Sequence, residues 1–507
     1  MRKIFLFLTL QFAVGQLFTQ AQQLEMKLGP DMDYSSYTSF KSFLGATDNF
    51  IYTWGSKKND IYIYEYDKSD LKLQYKVLVK KNINSTTVYT GYEFMGDDLL
   101  LFYEGFDKKK SQNTLSVRTL TSNGQLSNPE IIARSDSDKK GRGGFYQTIS
   151  PNQKNLALYI VPPPSEQEKE SSKFSMAVYD TDYQLKWESN YELPYTNENF
   201  FLTKFYVSDE GEVFAFAKVS NVKAVLASNY RENWILLKLS ANGEYKLIDL
   251  EVFEDDFSKY RLRLNTPKGK FSVYAMAEAS YKYDNQTGIF MAIADMKTFE
   301  LEHKVLLEFD EATRRSLTEE DRIDGKPQEF FDFKPISIQS RHDSSGIVIA
   351  IEKQYTQSSD MGNSVTSNEY FTRDIIIMAV SNSGRLKSTY IIPKDQQAEG
   401  DEYNKSSSLL MLDKSDNIHV FFNDEPENQN FKPGRGKEPA KMKDPAKSAL
   451  VHYTIESATG EGKYQILRTN SKNSLPEVRN FRPIYDHNQI LIIIEQGKKM
   501  KLGTLQL

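Results

Sequence analysis

Between Thr203 and Glu251 the chain reads TKFYVSDEGEVFAFAKVSNVKAVLASNYRENWILLKLSANGEYKLIDLE, and this stretch limits the possible folds more than any other. It holds four short runs rich in Val, Phe, Tyr, Leu and Ile, two tight turn signals and one longer polar connection. Ser208-Asp209-Glu210-Gly211 and Ser240-Ala241-Asn242-Gly243 place Asp or Asn near Gly, the combination that tolerates the positive φ angles of hairpin turns. After the first turn Val213, Ala215 and Ala217 alternate with Phe214 and Phe216, so both sides of this strand are apolar. Beyond the connection, Trp234 and Leu236 alternate with Ile235, Leu237 and Leu239. A strand apolar on both sides is covered on both faces. The unit is therefore one sheet of strands a to d that needs neighbours on either side.

The unit recurs along the chain. Turns at Asp67–Asp70, Gly96–Asp98, Ser150–Asn155, Thr266–Lys270, His342–Gly346, Asp413–Asn417 and Asp486–Gln489 each adjoin runs such as IYIYEY, LLLFYE, LALYIV, FSVYAMA, IVIAIE, IHVFF and ILIIIEQ. Eight copies after residue 21 give roughly 61 residues each, above the roughly 40 to 50 of a minimal propeller blade. Long loops account for the excess. The expected fold is all-β: a single β-propeller over residues 22–507 with eight four-stranded blades, seven being the alternative. The last copy lacks a d strand, and Leu24–Leu28 (LEMKL) has no partner of its own, so this N-terminal strand is expected to complete the last blade. The a-to-b turns SPNQKNLALYI, SDEGEVFAFA and TPKGKFSVYA resemble the Ser-Pro-Asp-Gly-Lys pattern of TolB-like and WD40-like propeller repeats. That resemblance implies the same radial architecture.

Residues 1–21 carry Arg2 and Lys3, an apolar run from Ile4 to Phe18, and Thr19-Gln20-Ala21 before Gln22, the pattern of a secretory signal peptide. The junction resembles Bacteroidetes signal peptides and implies export to the periplasm or beyond. With no cysteine, disulfides, thiolate metal ligands and thiol lipidation are excluded, so no lipoprotein is expected. A formal net charge of -5 on 507 residues gives no drive toward nucleic acid. No transmembrane span is expected after the signal, although peripheral membrane association stays open.

Strands that alternate direction put the a-to-b and c-to-d turns on one face and the b-to-c and d-to-a connections on the other. The long insertions at 162–173, 221–233, 310–334, 353–373 and 423–448 all fall on the second face. One face is plain and the other decorated, and loops on a rigid scaffold carry recognition. The segment Asp310–Arg322 has helix formers and acidic ends and predicts a short helix. The segment 423–448 interleaves Lys432, Arg435, Lys437 and Lys441 with Pro and Gly, predicting a mobile basic loop, either a solvated charge run or a contact for an acidic protein or anionic lipid. Tyr281, Tyr283 and Tyr355 in long loops, with Arg314 and Arg315, are the other candidates for partner contact.

Catalytic patterns are scarce. The five histidines show no zinc spacing, and no GxSxG elbow, P-loop or EF-hand loop occurs, so no cofactor, metal or catalytic residue is assigned. His419 and His452 are expected near each other on neighbouring strands, hydrogen-bonded rather than metal-bound. The sequence points to a noncatalytic protein-interaction propeller of the bacterial envelope, with an outer-membrane or other envelope protein as partner. The alternative is a carbohydrate-binding or carbohydrate-active propeller with its site at the axial mouth of the decorated face.

Overall fold

The computed structural model describes residues 24–32, 39–57, 60–84, 86–163, 171–197, 199–220, 232–253, 270–278, 286–308, 333–360, 366–399, 405–432, 437–472, 474–484, 488–496 and 499–507. Among them the strands form eight antiparallel sheets, and the only helical turns are short 3-10 segments. In chain order the sheets span 39–80, 82–136, 144–196, 200–253, 270–308, 333–399, 408–469 and 475–506, and are called sheets 1 to 8. Sheet 5 has three described strands; the fourth expected of that copy lies outside the described residues.

Apolar residues on both sides of the strands join these sheets into a ring. In Val213–Ser220, Val213, Ala215 and Ala217 pack with sheet 3, while Phe214 and Phe216 pack with sheet 5. In sheet 2 likewise, Leu100 and Phe102 face sheet 3, and Leu99, Leu101 and Tyr103 face sheet 1. The series continues through sheets 5 and 6, 6 and 7, and 7 and 8. Leu491, Ile493 and Leu502 of sheet 8 then pack on Phe43, Ile51 and Tyr64 of sheet 1 and return to the start. Early strands of neighbouring sheets approach one another: Gly144–Ile149 lies against Thr87–Met95, the second of five strands in sheet 2, and against Phe200–Val207, and Phe333–Ser340 lies against Ser408–Leu412. Sheets 3, 4, 6 and 7 therefore turn their first strand to the axis and their last to the rim. This is a β-propeller.

Glu25–Asp31 adds to sheet 8 antiparallel to Lys499–Gln506, with Glu25 opposite Gln506 and Lys27 opposite Thr504. The N-terminal strand thus completes the last sheet, as LEMKL predicts, and runs further, to Asp31, whose carboxylate meets Lys499 at 2.6 Å.

On the plain face, neighbouring turns bind one another. The Asp209 carboxylate accepts from the Asn152 backbone N–H at 2.9 Å, and the Asn155 amide donates to the carbonyls of Ser208 and Asp209 at 3.1 and 2.9 Å. Asp416 does the same for sheet 6, accepting from the backbone N–H groups of His342 and Asp343. Gly124 sits at φ 75 against the Tyr75 ring of the preceding sheet, where a side chain would collide with that ring.

The decorated face departs from expectation in two places. Residues 353–373 are mostly strand: Gly346–Asp360 and Thr366–Ser381 run past the body of sheet 6 as a hairpin arm, flanked by Leu386–Glu399. Ser, Thr and Gln paired across strands extend a sheet as well as they line a loop. The expected mobile basic loop is also folded where it is described. It forms 3-10 turns at Pro426–Asn430 and Pro445–Lys447, and the buried Met442 bridges Gln396 in parallel. Its backbone groups are satisfied by side chains: the Asn428 amide exchanges hydrogen bonds with Ala440 at 2.9 and 2.7 Å. The signal at 1–21, the helix expected at 310–322, and most of 162–173, 221–233 and 310–334 lie outside the described residues.

Candidate functional site

The arm leaves sheet 6 at a register shift between Glu352 and Gln354, beside Lys353, which pairs with Phe333 of the first strand. Glu352 closes the apolar run GIVIAI and is fully buried. A buried carboxylate is costly unless paired and hydrogen-bonded. Here Oε1 accepts from Lys394 Nζ at 2.5 Å and Ser408 Oγ at 2.7 Å, and Oε2 accepts from Ser407 Oγ at 2.6 Å and from the Gln354 amide. Burial alone would push this carboxyl up; the Lys394 ammonium and the serine hydroxyls outweigh it and hold it below its ordinary range.

The network continues outward. Gln396 Oε1 accepts from Lys394 Nζ at 3.2 Å, Thr372 Oγ1 at 2.5 Å and the Ser407 N–H at 2.8 Å, while its amide donates to the Asn423 carbonyl. Ser407 holds φ 79, a conformation unusual for a residue with a side chain. Its N–H and hydroxyl are both engaged in the network, which over-determines it. Asp424, at the end of Ile418–Asp424, accepts from Asn428 at 2.8 Å and from the Tyr464 hydroxyl at 3.1 Å, and burial pushes it up to about 6. Arm, folded loop and sheet 7 are thereby fixed to one another.

Four donors fill the acceptor sites of the Glu352 carboxylate, and all belong to the protein. That carboxylate is a seat for the arm, with no lone pair left for a substrate proton. No sequence signal marks it, since a charged residue ending an apolar run reads as the start of solvent exposure.

Of the residues expected to bind a partner, Tyr281, Tyr283, Arg314, Arg315 and Arg435 lie outside the described residues. Tyr355 is on the arm, its ring stacked on Phe371 at 4.8 Å with the Arg373 guanidinium 5.9 Å away, so it packs within the arm. Lys441 pairs with the buried Asp395 at 3.5 Å, which also lies 3.5 Å from Arg373. Lys432 and Lys437 are exposed. The Met442 bridge thus brings Tyr355 and Lys441, separate in sequence, onto one widened sheet.

His419 Nδ1 lies 2.8 Å from His452 Nε2, and His419 Nε2 lies 3.3 Å from Asp413 Oδ2. The rings are 1° from parallel with centroids 5.0 Å apart, the geometry of an in-plane N–H···N bond rather than a face-to-face stack. Burial, then the neighbouring His419, push His452 down to about 3. At the axis, Tyr146 and Phe201 on the innermost strands of sheets 3 and 4 are 61% and 53% exposed, and Tyr146 is braced against Tyr159 at 6.0 Å.

No protein-family model matches the sequence, and no curated protein matches it. Among solved structures, the chain is similar to the β-propeller domain of the Trilobed protease from Pyrococcus furiosus, at 9% identity and TM-score 0.35 over 86% of this chain and 96% of that one. It is similar to a post-proline cleaving enzyme from Rickettsia typhi at 9% identity and TM-score 0.40, covering 92% of this chain and 58% of the enzyme. Prolyl oligopeptidase B from Galerina marginata gives 10% identity and TM-score 0.39, covering 91% and 55%. The chain thus spans a little over half the length of these two peptidases.

Proposed function

We propose that the chain is a noncatalytic protein-interaction propeller of the bacterial cell envelope, a subunit of a periplasmic or outer-membrane-associated assembly. The observation carrying this reading is the rigid seat of the sheet 6 arm. A fully buried ion pair with a complete set of donors holds the base of a polar hairpin that runs past the body of sheet 6. Rigid presentation of such an element lowers the ordering cost of binding a partner. The signal-like residues 1–21 support export, and the plain face leaves the decorated one as the working surface. Mild crosslinking of native envelopes and affinity capture of the chain recovers a stoichiometric envelope protein; recovery of this chain alone overturns the reading.

One observation favours a second reading, carbohydrate binding at the axis. The exposed rings of Tyr146 and Phe201 lie on innermost strands, where an aromatic face can stack on a sugar ring. A glycan array and a polysaccharide-hydrolysis screen that are both blank remove it.

A further inference from the structure

Two loops distant in sequence meet at the decorated end of sheet 2. The hairpin between Asp98–Asp107 and Gln112–Leu120 carries Lys108, Lys109 and Lys110, and the connection after Glu130–Asp136 carries Lys139, Lys140 and Arg142. The Ser137 N–H donates to the Ser111 carbonyl at 2.9 Å, and the Asn113 amide donates to the Gly141 carbonyl at 3.3 Å. Gly141, at φ 74, lies over the Phe106 ring. The loops are therefore clamped into one surface.

Within this surface six cations face three carboxylates. Two of the three are taken up by the loops themselves. Asp107 accepts from the backbone N–H groups of Lys109 and Lys110 at 3.0 and 3.2 Å. Asp138 accepts from those of Lys140 and Arg142 at 2.9 and 2.8 Å and pairs with the Arg142 side chain. The five lysines are exposed, and among the described residues none is ion-paired. The chain as a whole is negative, so this concentration is local.

We propose that the lysine cluster of sheet 2 docks the decorated face on an anionic phospholipid surface. The inference rests on the decorated face being the working one and adds a second kind of contact to it. Lysines on two clamped loops form a spread of hydrated point charges, whereas a fixed carboxylate or phosphate on a protein is better met by the planar fork of arginine. An anionic bilayer is a diffuse partner of that kind, and clusters of four to eight basic residues are its usual counterpart.

The test is sedimentation of the chain with phosphatidylcholine vesicles, with and without about one-third phosphatidylglycerol, at low and high salt. The expected result is salt-sensitive binding to the anionic vesicles only. Changing Lys108, Lys109 and Lys110 together to Gln lowers that binding by about a hundredfold, each lysine near the surface contributing roughly a factor of five. The same change at Lys154, Lys387 and Lys414, exposed near plain-face turns, leaves it intact. Thermal unfolding of both variants shows that the ring is unaltered. Equal binding to neutral vesicles, or an undiminished triple variant, overturns the proposal. Retention on immobilised polyglutamate without vesicle binding overturns it in favour of an acidic protein. A crosslinked envelope protein without vesicle binding removes only the lipid contact; vesicle binding without a crosslinked protein removes only the interaction reading.

Discussion

At the scale of single residues, the Glu352–Lys394 pair shows what a buried charge does when every acceptor site is filled. Lys394→Met leaves a buried carboxylate uncompensated and should lower stability by about 3–5 kcal/mol. Replacing both residues by Met should recover most of the loss while the arm becomes more dynamic. Chemical denaturation measures the first effect and amide exchange along 354–372 the second. Asp424 makes a pH prediction. Its carboxyl is pushed up to about 6 by burial from an ordinary value of 3.8. Between those values the folded state keeps a proton that the unfolded chain has released. The stability it contributes is therefore complete below about pH 4 and lost as the pH rises to about 6. Asp424→Asn should flatten the stability profile in that window. His452, pushed down to about 3 from 6.5, works in the opposite sense, its contribution being lost as pH falls through the same range. The difference between wild type and Asp424→Asn isolates the carboxylate; an unchanged difference from pH 4 to 6 contradicts this account.

At the scale of elements, the turns and strands were the legible part. Asp or Asn beside Gly, with apolar residues at every position from Val213 to Ala217 of the second strand, predicts tight hairpins covered on both faces, and Val213–Ser220 packs on sheets 3 and 5 accordingly. In sequence the arm has the pattern of a loop, because Gln354, Thr356, Gln357, Ser358 and Asn368 carry no apolar alternation. Such strands are held by cross-strand polar pairs, of which Ser358 with Asn368 at 2.7 Å is one. The segment 423–448, in its described parts, differs from the expected mobile loop for a related reason. Its prolines and glycines oppose regular structure, but the Asn428 side chain substitutes for a regular hydrogen-bonding partner. The buried polar network has no local signature, because Glu352 meets Lys394 42 residues away and Ser407 and Ser408 55 and 56 residues away. Replacing 356–368 by a two-residue turn should leave the unfolding temperature within a few degrees of wild type, because the seat and ring survive. It should also abolish capture of the envelope partner; undiminished capture would show that the arm does not present the binding surface.

At the scale of the whole molecule, the ring depends on its seam. Sheet 8 takes one strand from the N-terminal part of the chain and the others from the C-terminal part. The interface of sheets 8 and 1 then joins the two ends through Leu491, Ile493 and Leu502 against Phe43, Ile51 and Tyr64. The unpaired LEMKL and the truncated last copy made this closure readable from the sequence. Where the arm and folded loop would lie on the decorated face was not readable, since that depends on contacts between sheets. The closure can be tested directly because the chain has no cysteine, so any disulfide is an introduced one. Glu25 and Gln506 are exposed register partners on the two strands of the seam. Cysteines at facing positions of antiparallel strands lie within disulfide reach. The Glu25→Cys, Gln506→Cys double variant should oxidise under mild conditions to a covalently circular chain with a raised unfolding temperature, seen as loss of two free thiols. Thiols that persist in the native protein while each single variant folds normally would contradict the closed ring.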